Sequence, residues 1–237
     1  TTTPETTFFR ITSASLAPVV LRTNAEVRGI VFWYPSQNWD ITSLADSFVT
    51  YPASVQLGDA TEPLVLHPAV RDCHFLGATR CVDQYATDGT TLSSLDIERC
   101  SGVLLGDFLR VRRSGDIIRV SDCHFNPNCA TNYVGDASVG GDPIVFQTKA
   151  AQAAVVFHLG QGDGLEVTNV FAFGVKHFVW YEAAFFTGDT NEGPSGDFVN
   201  CAADGCYQAF RIDRSSTAFP IDIVGGWYTP LFRPNGV

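Results

Sequence analysis

The sequence of 237 residues contains no methionine, only two lysines (Lys149 and Lys176), and few charged residues, which make up 17% of the chain. Its net charge of −10 repels nucleic acid and anionic bilayers, so neither is expected as a partner. No apolar run approaches the length of about 18 residues that a membrane-spanning helix needs. The chain begins without methionine or an apolar signal segment, so we expect residues 1–237 to form a single domain, a fragment of a longer chain.

The sequence is rich in apolar residues, which account for 45% of the chain, and it contains 21 glycines and 18 phenylalanines. This composition excludes intrinsic disorder, and abundant Thr, Val and Ile together with glycine favours strands and turns. The seven cysteines are an odd number, which excludes a fully paired disulfide framework within one chain.

A short motif recurs seven times along the sequence. The residue three positions before its end is always apolar, and the residue one position before its end is Gly, Asn or Asp in six of the seven copies. These three residue types tolerate a left-handed backbone, so the pattern predicts a short strand that ends in a tight corner. The seven copies end at Ile30, Cys73, Cys100, Cys123, Val170, Cys201 and Gly226.

A further strand-like run precedes most of the motifs. Three short strands per repeat, stacked in register, are typical of a parallel β-helix. The shortest spacing between motif ends, from Cys100 to Cys123, is 23 residues, within the range of solenoid repeats. The sequence therefore predicts an all-β fold, a parallel β-helix solenoid of about seven coils of roughly 23 residues with loop insertions, chiefly at 33–62 and 126–151.

The recurrent motif resembles that of the pectin-lyase-like right-handed parallel β-helices. The segments 27–35 and 70–75, which read VRGIVFWYP and VRDCHF, are similar to early coils of polysaccharide-degrading members, including phage tailspikes. The resemblance extends roughly from residue 20 to residue 230. It implies a right-handed β-helix but identifies no reaction, because these solenoids include hydrolases, lyases, epimerases and proteins that only bind.

Three recurrent positions of the motif, and the histidines beside them, have a structural explanation or two open interpretations. The end-position cysteines are expected to stack in the core as small buried thiols, and the polar corner residues to bond the neighbouring backbone as a ladder. The histidines of the two Asp-Cys-His-Phe strings lie two coils apart, too far to share a zinc ion, so neither a metal nor a cofactor is expected. The position four before the end forms an acidic column, either a ligand surface or a solvated face: Glu26, Ala69, Asp96, Arg119, Glu166, Asp197 and Asp222.

The third strand of each coil is the predicted wall of a substrate groove. The insertions 33–62 and 126–151 leave the coil on one flank of that strand, and the segment 186–196 leaves on the other, so loops are expected on both banks. Alternation along the strand turns either Tyr181 or both Trp180 and Glu182 outward, and the sequence does not decide between them. The candidate groove residues are Asp83, Gln84, Arg110, Arg112, His158, Trp180, Tyr181, Glu182, Gln208, Arg211 and Asp213.

The first functional hypothesis is a tailspike-like depolymerase that cleaves a surface polysaccharide by hydrolysis. Glu182 and Asp213 are then the acid and base, with Asp83 in reserve, because paired carboxylates perform glycoside hydrolysis. Arginine with a general base would instead fit β-elimination from a uronate, and the sequence does not separate the two reactions. The substrate-binding candidates are Arg110, Arg112, His158, Trp180, Tyr181, Gln208 and Arg211.

The second hypothesis is a non-catalytic solenoid segment, structural or glycan-binding, of a virion or secreted surface protein. The missing catalytic motifs of polygalacturonases and pectate lyases favour it. Under either hypothesis we expect an extracellular or virion-surface location and a poly- or oligosaccharide partner. The resemblance to tailspikes also implies a homotrimer with parallel axes.

Overall fold

The computed structural model describes residues 7–62, 64–84, 91–127, 143–182, 194–214 and 220–230. These residues form mainly β-strands, with one α-helix, α1 (Pro143–Ala153), and every pairing between strands is parallel. The first strands are β1 (Thr7–Arg10), β2 (Val19–Leu21), β3 (Glu26–Arg28), β4 (Ile30–Trp33), β5 (Val55–Leu57), β6 (Leu64–Val65), β7 (Ala69–Arg71), β8 (His74–Gln84), β9 (Thr91–Leu92), β10 (Leu95–Glu98) and β11 (Ser101–Arg113). The remaining strands are β12 (Ile117–Ser121), β13 (His124–Phe125), β14 (Val155–Gln161), β15 (Gly164–Thr168), β16 (Phe171–Phe173), β17 (His177–Tyr181), β18 (Gly196–Val199), β19 (Ala202–Cys206), β20 (Gln208–Ile212), β21 (Ile221–Val224) and β22 (Trp227–Pro230).

One sheet has seven strands in the order β21-β18-β15-β12-β10-β7-β3. These are the seven strands that the recurrent motif predicts, and their register confirms the alignment of the repeat. The apolar position of each motif faces its equivalent on the neighbouring strand, for example Ile97 opposite Val70 and Val120. Since alternate residues of a strand point to opposite faces, the whole column turns inward, and Val70, Ile97 and Val120 are buried.

The second sheet has thirteen strands in two branches that share the long strands β8 and β11. The first branch runs β1-β4-β8-β11-β13-β16-β19-β22, and the second runs β2-β5-β8-β11-β14-β17-β20. From β3 onward the chain passes seven times from the seven-stranded sheet to the first branch, and six of these passes go on to the second branch. Equivalent strands of consecutive passes are paired, and the third runs that the sequence predicts are confirmed in β8, β11, β14, β17 and β20. A separate pair, β6 and β9, lies outside both sheets.

All seven corner residues adopt the left-handed backbone that the motif predicts. Their φ angles are positive, from 52° at Arg99 to 71° at Gly225. Arg99 is the one corner residue of an unfavourable type, and its Nε donates to Asp72 Oδ1 on the preceding corner at 2.6 Å. The corner residues Gly29, Asp72, Arg99, Asp122, Asn169, Asn200 and Gly225 therefore form one continuous column.

Hydrogen bonds connect the corner side chains along this column. Asn200 Nδ2 donates to Asn169 Oδ1 at 2.8 Å, and Asn169 Nδ2 donates to Asp122 Oδ1 at 3.0 Å. Asp72 accepts from both Arg28 and Arg99, and the hydrogen bond from Arg99 contributes most to lowering the pKa of that carboxyl. The predicted ladder is present, but these hydrogen bonds join side chains to one another, whereas the prediction had them bond the neighbouring backbone.

The end-position cysteines lie in the core, as expected. Cys73, Cys100, Cys123 and Cys201 are at most 2% exposed, and none forms a disulfide. Hydrogen bonding between neighbouring thiols, together with burial, raises the pKa of Cys73 above that of an ordinary thiol. These thiols are therefore unreactive core residues rather than nucleophiles. Cys129 lies outside the described residues.

The insertions differ from the prediction in one respect. Segment 33–62 contains β5, a strand of the second branch, so it is not a loop throughout. Another part of this segment, including Trp39 and Ile41, packs with α1 against the outside of the first branch, whereas Tyr34 and Tyr51 lie in the main core. Trp39 stacks on Phe146 of α1 with ring centroids 5.9 Å apart, and both belong to a small apolar cluster with Leu76 and Val103. Most of segment 186–196, the other predicted bank, lies outside the described residues.

Replacing Asn169 tests the corner column. Asn169→Ala places a residue with poor left-handed propensity at φ 56° and removes two side-chain hydrogen bonds, so we expect a loss of about 1–3 kcal/mol in the free energy of unfolding. Asn169→Gly is the matched control, because it loses the same hydrogen bonds but accepts the backbone angle. Urea denaturation of both variants should show the alanine variant to be less stable. Equal stability would contradict the role of backbone strain at this corner.

Candidate functional site

The outer face of the second branch carries one column of polar and aromatic residues. Strand pairing places equivalent positions side by side, and the inward neighbours Val82, Leu109 and Val179 are buried. The outward positions form what we call the outer column: Gln56, Asp83, Arg110, His158, Trp180 and Arg211. Successive members are about 4.8 Å apart along the sheet, the ordinary strand spacing. Four of the six were predicted as substrate-binding residues, and Asp83 as a catalytic residue.

The structure decides between the two alternatives for the strand β17. Tyr181 is fully buried, and its hydroxyl donates to the carbonyl oxygen of Ser195 at 3.4 Å. Burial raises the pKa of this phenol. The prediction that Tyr181 binds substrate is therefore corrected: it is a core residue, and Trp180 points outward instead. Gln84 is likewise buried, and its side-chain oxygen accepts from the backbone N–H of Arg112 at 2.8 Å.

Trp180 faces outward, but both faces of its ring are covered. The His158 ring stacks on one face with centroids 4.2 Å apart and an interplanar angle of 8°. The guanidinium of Arg211 lies 4.5 Å from the ring centroid, and strand order places it on the side opposite His158. The indole is therefore held within the outer column, and only its edge can reach a ligand.

His158 lies between two carboxylates. Its Nδ1 is 3.2 Å from Asp107 Oδ2, and its Nε2 is 3.0 Å from Glu182 Oε2. The imidazole is 6% exposed, so these contacts are shielded from water. Asp107 was not among the predicted site residues. The sequence signal for Asp107 was its position directly before the strand-like run 108–112. It lies three residues before Arg110, with which it forms an ion pair.

The predicted acid–base pair lies on neighbouring passes of the chain. The backbone N–H of Glu182 donates to the carbonyl of Leu159, and that of Asp213 donates to the carbonyl of Tyr181, both at 2.9 Å, so both residues continue the parallel pairing. Their α-carbons are therefore about 4.8 Å apart. Each carboxylate contacts a ring on the preceding pass. Glu182 Oε2 contacts His158 Nε2, and Asp213 Oδ2 accepts a hydrogen bond from Trp180 Nε1 at 3.0 Å.

The electrostatic surroundings of Asp213 keep it ionised. The hydrogen bond from the Trp180 indole, followed by the hydrogen bond from Arg211 at 3.1 Å, lowers the pKa of this carboxyl. An aspartate of this kind can act as a base or nucleophile at neutral pH, but it is a poor proton donor.

Asp83, unlike Asp213, lies in a buried environment that favours its protonated form. It is 7% exposed, and its Oδ1 accepts no hydrogen bond from the part of the chain that the structure describes. Burial raises its pKa even though Arg110, Arg112 and Arg80 oppose the shift. Arg80 forms an ion pair with this carboxylate, with its Nη1 3.6 Å from Asp83 Oδ2. The Arg112 side chain is buried, and desolvation lowers the pKa of its guanidinium. Four strand steps separate Asp83 from Arg211, so Asp83 does not share a reaction centre with Asp213.

An open cleft of about 340 Å³ borders the outer column beside Arg211. Of the predicted residues it contains Gln208 and Arg211. The other lining residues were not predicted: Gln152, Lys176, His177 and Tyr207. His177 is the residue directly before the run 178–182, and a histidine beside one of only two lysines was the available signal.

Within the described ranges, no group of three or more His, Cys, Asp or Glu side chains has the geometry to hold a metal ion. Among the same residues, no helix combines the length and apolar character needed to cross a bilayer. His74, from one of the two Asp-Cys-His-Phe strings, has its Nδ1 2.7 Å from the hydroxyl of Ser101.

The raised pKa of Asp83 generates a pH-dependent prediction. Because this pKa exceeds the usual 3.8, the folded state binds the proton more tightly than the unfolded state does. The contribution of Asp83 to stability therefore falls as pH rises from the unfolded-state pKa to the folded-state pKa. Asp83→Asn removes this dependence. We expect the stability of the variant relative to wild type to increase between about pH 3 and pH 7, by about 1.4 kcal/mol for each unit of the shift. Urea denaturation across this range measures the difference, and a constant difference would contradict the assignment.

Comparison with models of known protein families gives no match. No curated protein and no solved structure gives a significant match either. The function of the outer column and its cleft is therefore inferred from the geometry of the described residues.

Proposed function

We propose that the chain is a right-handed parallel β-helix. Seven passes through equivalent strands, exclusively parallel pairing and a left-handed corner on every pass support this architecture. The right hand follows from the general rule that crossovers between parallel strands of one sheet are right-handed in about 98% of cases. The motif resemblance to pectin-lyase-like proteins and tailspikes points to the same architecture.

We propose that the outer face of the second branch binds and hydrolyses a polysaccharide. The observation that carries the proposal is the placement of Glu182 and Asp213 on neighbouring passes, each hydrogen-bonded to a ring of the outer column. Glycoside hydrolysis needs two carboxyl groups, one that donates a proton and one that stays ionised.

The number of protons that the contacts of His158 require indicates different roles for Glu182 and Asp213. Both ring nitrogens of His158 contact a carboxylate oxygen, and each contact needs one hydrogen, so Asp107, His158 and Glu182 together hold two protons. In this group either the imidazole is protonated or one carboxyl is. We assign proton donation to the glycosidic oxygen to Glu182, because its Oε2 shares the second proton with His158, and Asp107 contacts the other nitrogen of that ring. Asp213, whose pKa is lowered, is the nucleophile or base.

Three of the remaining predicted residues, Arg110, Gln208 and Arg211, fit substrate contacts rather than chemistry. Tyr181 and Arg112 are buried. Arg110 is partly exposed in the outer column, and Gln208 and Arg211 line the cleft beside it. Guanidinium and amide groups hold sugar hydroxyls and carboxylates through directed hydrogen bonds. His158 and Trp180 act through their neighbours, since the ring faces of Trp180 are covered.

Glu182→Gln tests hydrolysis. With a panel of bacterial capsular polysaccharides, the wild-type protein is expected to release reducing ends without forming an unsaturated, ultraviolet-absorbing product. Loss of the proton donor should lower this rate by about 100-fold or more. Glu166→Gln is the matched control, because Glu166 is an exposed glutamate of the seven-stranded sheet, paired with Arg119, and the variant should retain full activity.

Two results would overturn the hydrolytic proposal. An unsaturated product would assign β-elimination, and release of reducing ends by the Glu182→Gln variant at the wild-type rate would remove Glu182 from the reaction.

The second candidate function is a non-catalytic glycan-binding or structural segment. It is favoured by one specific observation: the faces of Trp180 and the carboxylates of Glu182 and Asp213 already have partners within the protein. A protein of this kind would release no reducing ends from any member of the panel.

We also propose a homotrimer located outside the cell or on a virion surface, as the tailspike resemblance implies. Exposed apolar side chains support a lateral contact between copies. Val199 and Val224 are neighbours on β18 and β21, and they are 40% and 59% exposed. Multi-angle light scattering is expected to give three times the chain mass of 25.7 kDa, whereas a monomer at micromolar concentration would contradict the assembly for this chain.

A further inference from the structure

Asp107, His158 and Glu182 form a hydrogen-bonded row that we call the proton relay. Asp107 Oδ2 lies 3.2 Å from His158 Nδ1, and Glu182 Oε2 lies 3.0 Å from His158 Nε2. The two contacts need two hydrogens, which can be placed in more than one way. If Asp107 carries one of them, Nε2 donates the other to Glu182, which is then an acceptor with no proton to give. Only a hydrogen on Nδ1 leaves the second proton between Nε2 and Oε2.

The neighbours of Asp107 make it an acceptor. The Nε of Arg110, which always carries a hydrogen, lies 3.9 Å from the same Oδ2. On the neighbouring strand β8, Arg80 is the register partner of Asp107. A guanidinium stabilises a carboxylate beside it in the ionised form, and an ionised carboxylate can only accept. The hydrogen of the Asp107 contact therefore lies on His158 Nδ1.

The orientation of the His158 ring is fixed by its surroundings. The ring stacks on Trp180 with centroids 4.2 Å apart, and His158 is 6% exposed. Trp180 is itself held by Asp213, whose Oδ2 accepts from its Nε1 at 3.0 Å. Turning the His158 ring by 180° would place ring carbons beside both carboxylates and lose two shielded hydrogen bonds, which is costly. Nδ1 therefore stays at Asp107 and Nε2 at Glu182.

The proton relay reaches solvent at Glu182. The side chain of His158 is 7% exposed and that of Asp107 is 18% exposed, whereas that of Glu182 is 30% exposed. Glu182 is the member that a substrate on the outer face of the second branch contacts most readily. A proton that leaves the relay therefore leaves from Oε2.

We propose that Asp107 is a positioning residue for the proposed hydrolysis. By accepting from His158 Nδ1, it fixes the hydrogen on that nitrogen and thereby holds the second proton between Nε2 and Glu182 Oε2. This assignment rests on the proposed function, because it names the residue that keeps Glu182 supplied with its proton. Asp107 acts through His158 and touches no substrate.

The proton transfer balances. When the bond between the anomeric carbon and the glycosidic oxygen breaks, its electron pair stays on the oxygen, which takes the proton from Glu182 Oε2. The relay then keeps one hydrogen, on His158 Nδ1. A water molecule afterwards returns a proton to the pair formed by Nε2 and Oε2, which restores the starting state.

Nitrogen-15 NMR of the full chain, labelled at histidine, tests the hydrogen position without any substrate. A ring nitrogen that carries a hydrogen differs widely in chemical shift from one that presents a lone pair. Near neutral pH, wild-type His158 is expected to show a protonated Nδ1. The His158→Asn variant identifies its signals among the five histidines. A lone pair on Nδ1 of the wild-type protein would overturn the proposal, whether or not any variant folds.

Asp107→Leu removes the acceptor and keeps a branched side chain. Nδ1 of His158 is then expected to lose its hydrogen, and Nε2 to hold one that it donates to the Glu182 carboxylate. Asp96→Leu is the matched control, since Asp96 is an exposed aspartate of the seven-stranded sheet, 3.6 Å from Arg71, and this variant should keep the wild-type spectrum. Far-ultraviolet circular dichroism checks the fold of both. A protonated Nδ1 in folded Asp107→Leu protein would reject the role of Asp107.

The kinetic consequence is a loss of rate rather than of substrate binding. Asp107→Leu should lower kcat for release of reducing ends at least tenfold, a part of the 10²–10⁴ that proton transfer typically supplies. KM should stay within about twofold, because Asp107 touches no substrate. A raised KM with unchanged kcat would contradict the positioning role.

The outcomes separate this inference from the proposed hydrolysis. A wild-type protein with a protonated Nδ1 that depends on Asp107, but with no release of reducing ends, would keep the hydrogen arrangement and reject the hydrolysis. Hydrolysis that is lost in Glu182→Gln but runs at the wild-type rate in Asp107→Leu would keep the proposed function and reject the role of Asp107.

Discussion

The left-handed backbone at the seven corners is the constraint on which the rest of the structure depends. Each corner turns the chain from the seven-stranded sheet into the first branch after the same number of residues, so every pass begins its next strand in the same register. A slip of one residue would turn all inward side chains to the surface. Side-chain hydrogen bonds between Asn200, Asn169 and Asp122 stabilise this geometry where the backbone alone would be strained.

Register is also what assembles the outer column. Residues that are 22 to 48 positions apart in sequence, such as Arg110, His158 and Trp180, become direct neighbours because their strands pair in parallel. Asp83 is buried within this column, which raises its pKa, whereas Asp213 lies beside the column and accepts hydrogen bonds from Trp180 and Arg211, which lower its pKa.

Much of the repeat could be predicted from the sequence because a corner residue and an inward apolar residue are local features. The site could be predicted only in part. Alternation fixes the faces of a strand but not which face is inside, so Trp180 and Tyr181 were equivalent until the core was known. Asp107 was missed because the predicted run begins at 108, whereas the strand β11 begins at Ser101 and includes Asp107. The strand β5 was missed because no corner motif precedes it directly.

The position of the insertions has an evolutionary consequence. The distance between successive motif ends is 23 residues from Cys100 to Cys123 and 47 from Cys123 to Val170, yet both intervals return the chain to the same register. Doubling a flexible loop adds only about 0.6 kcal/mol of closure entropy. Loops at the junction between the two branches can therefore be exchanged, lengthened or shortened between related proteins at little thermodynamic cost. New binding specificities can arise there by loop grafting while the stacked strands keep their sequence rules unchanged.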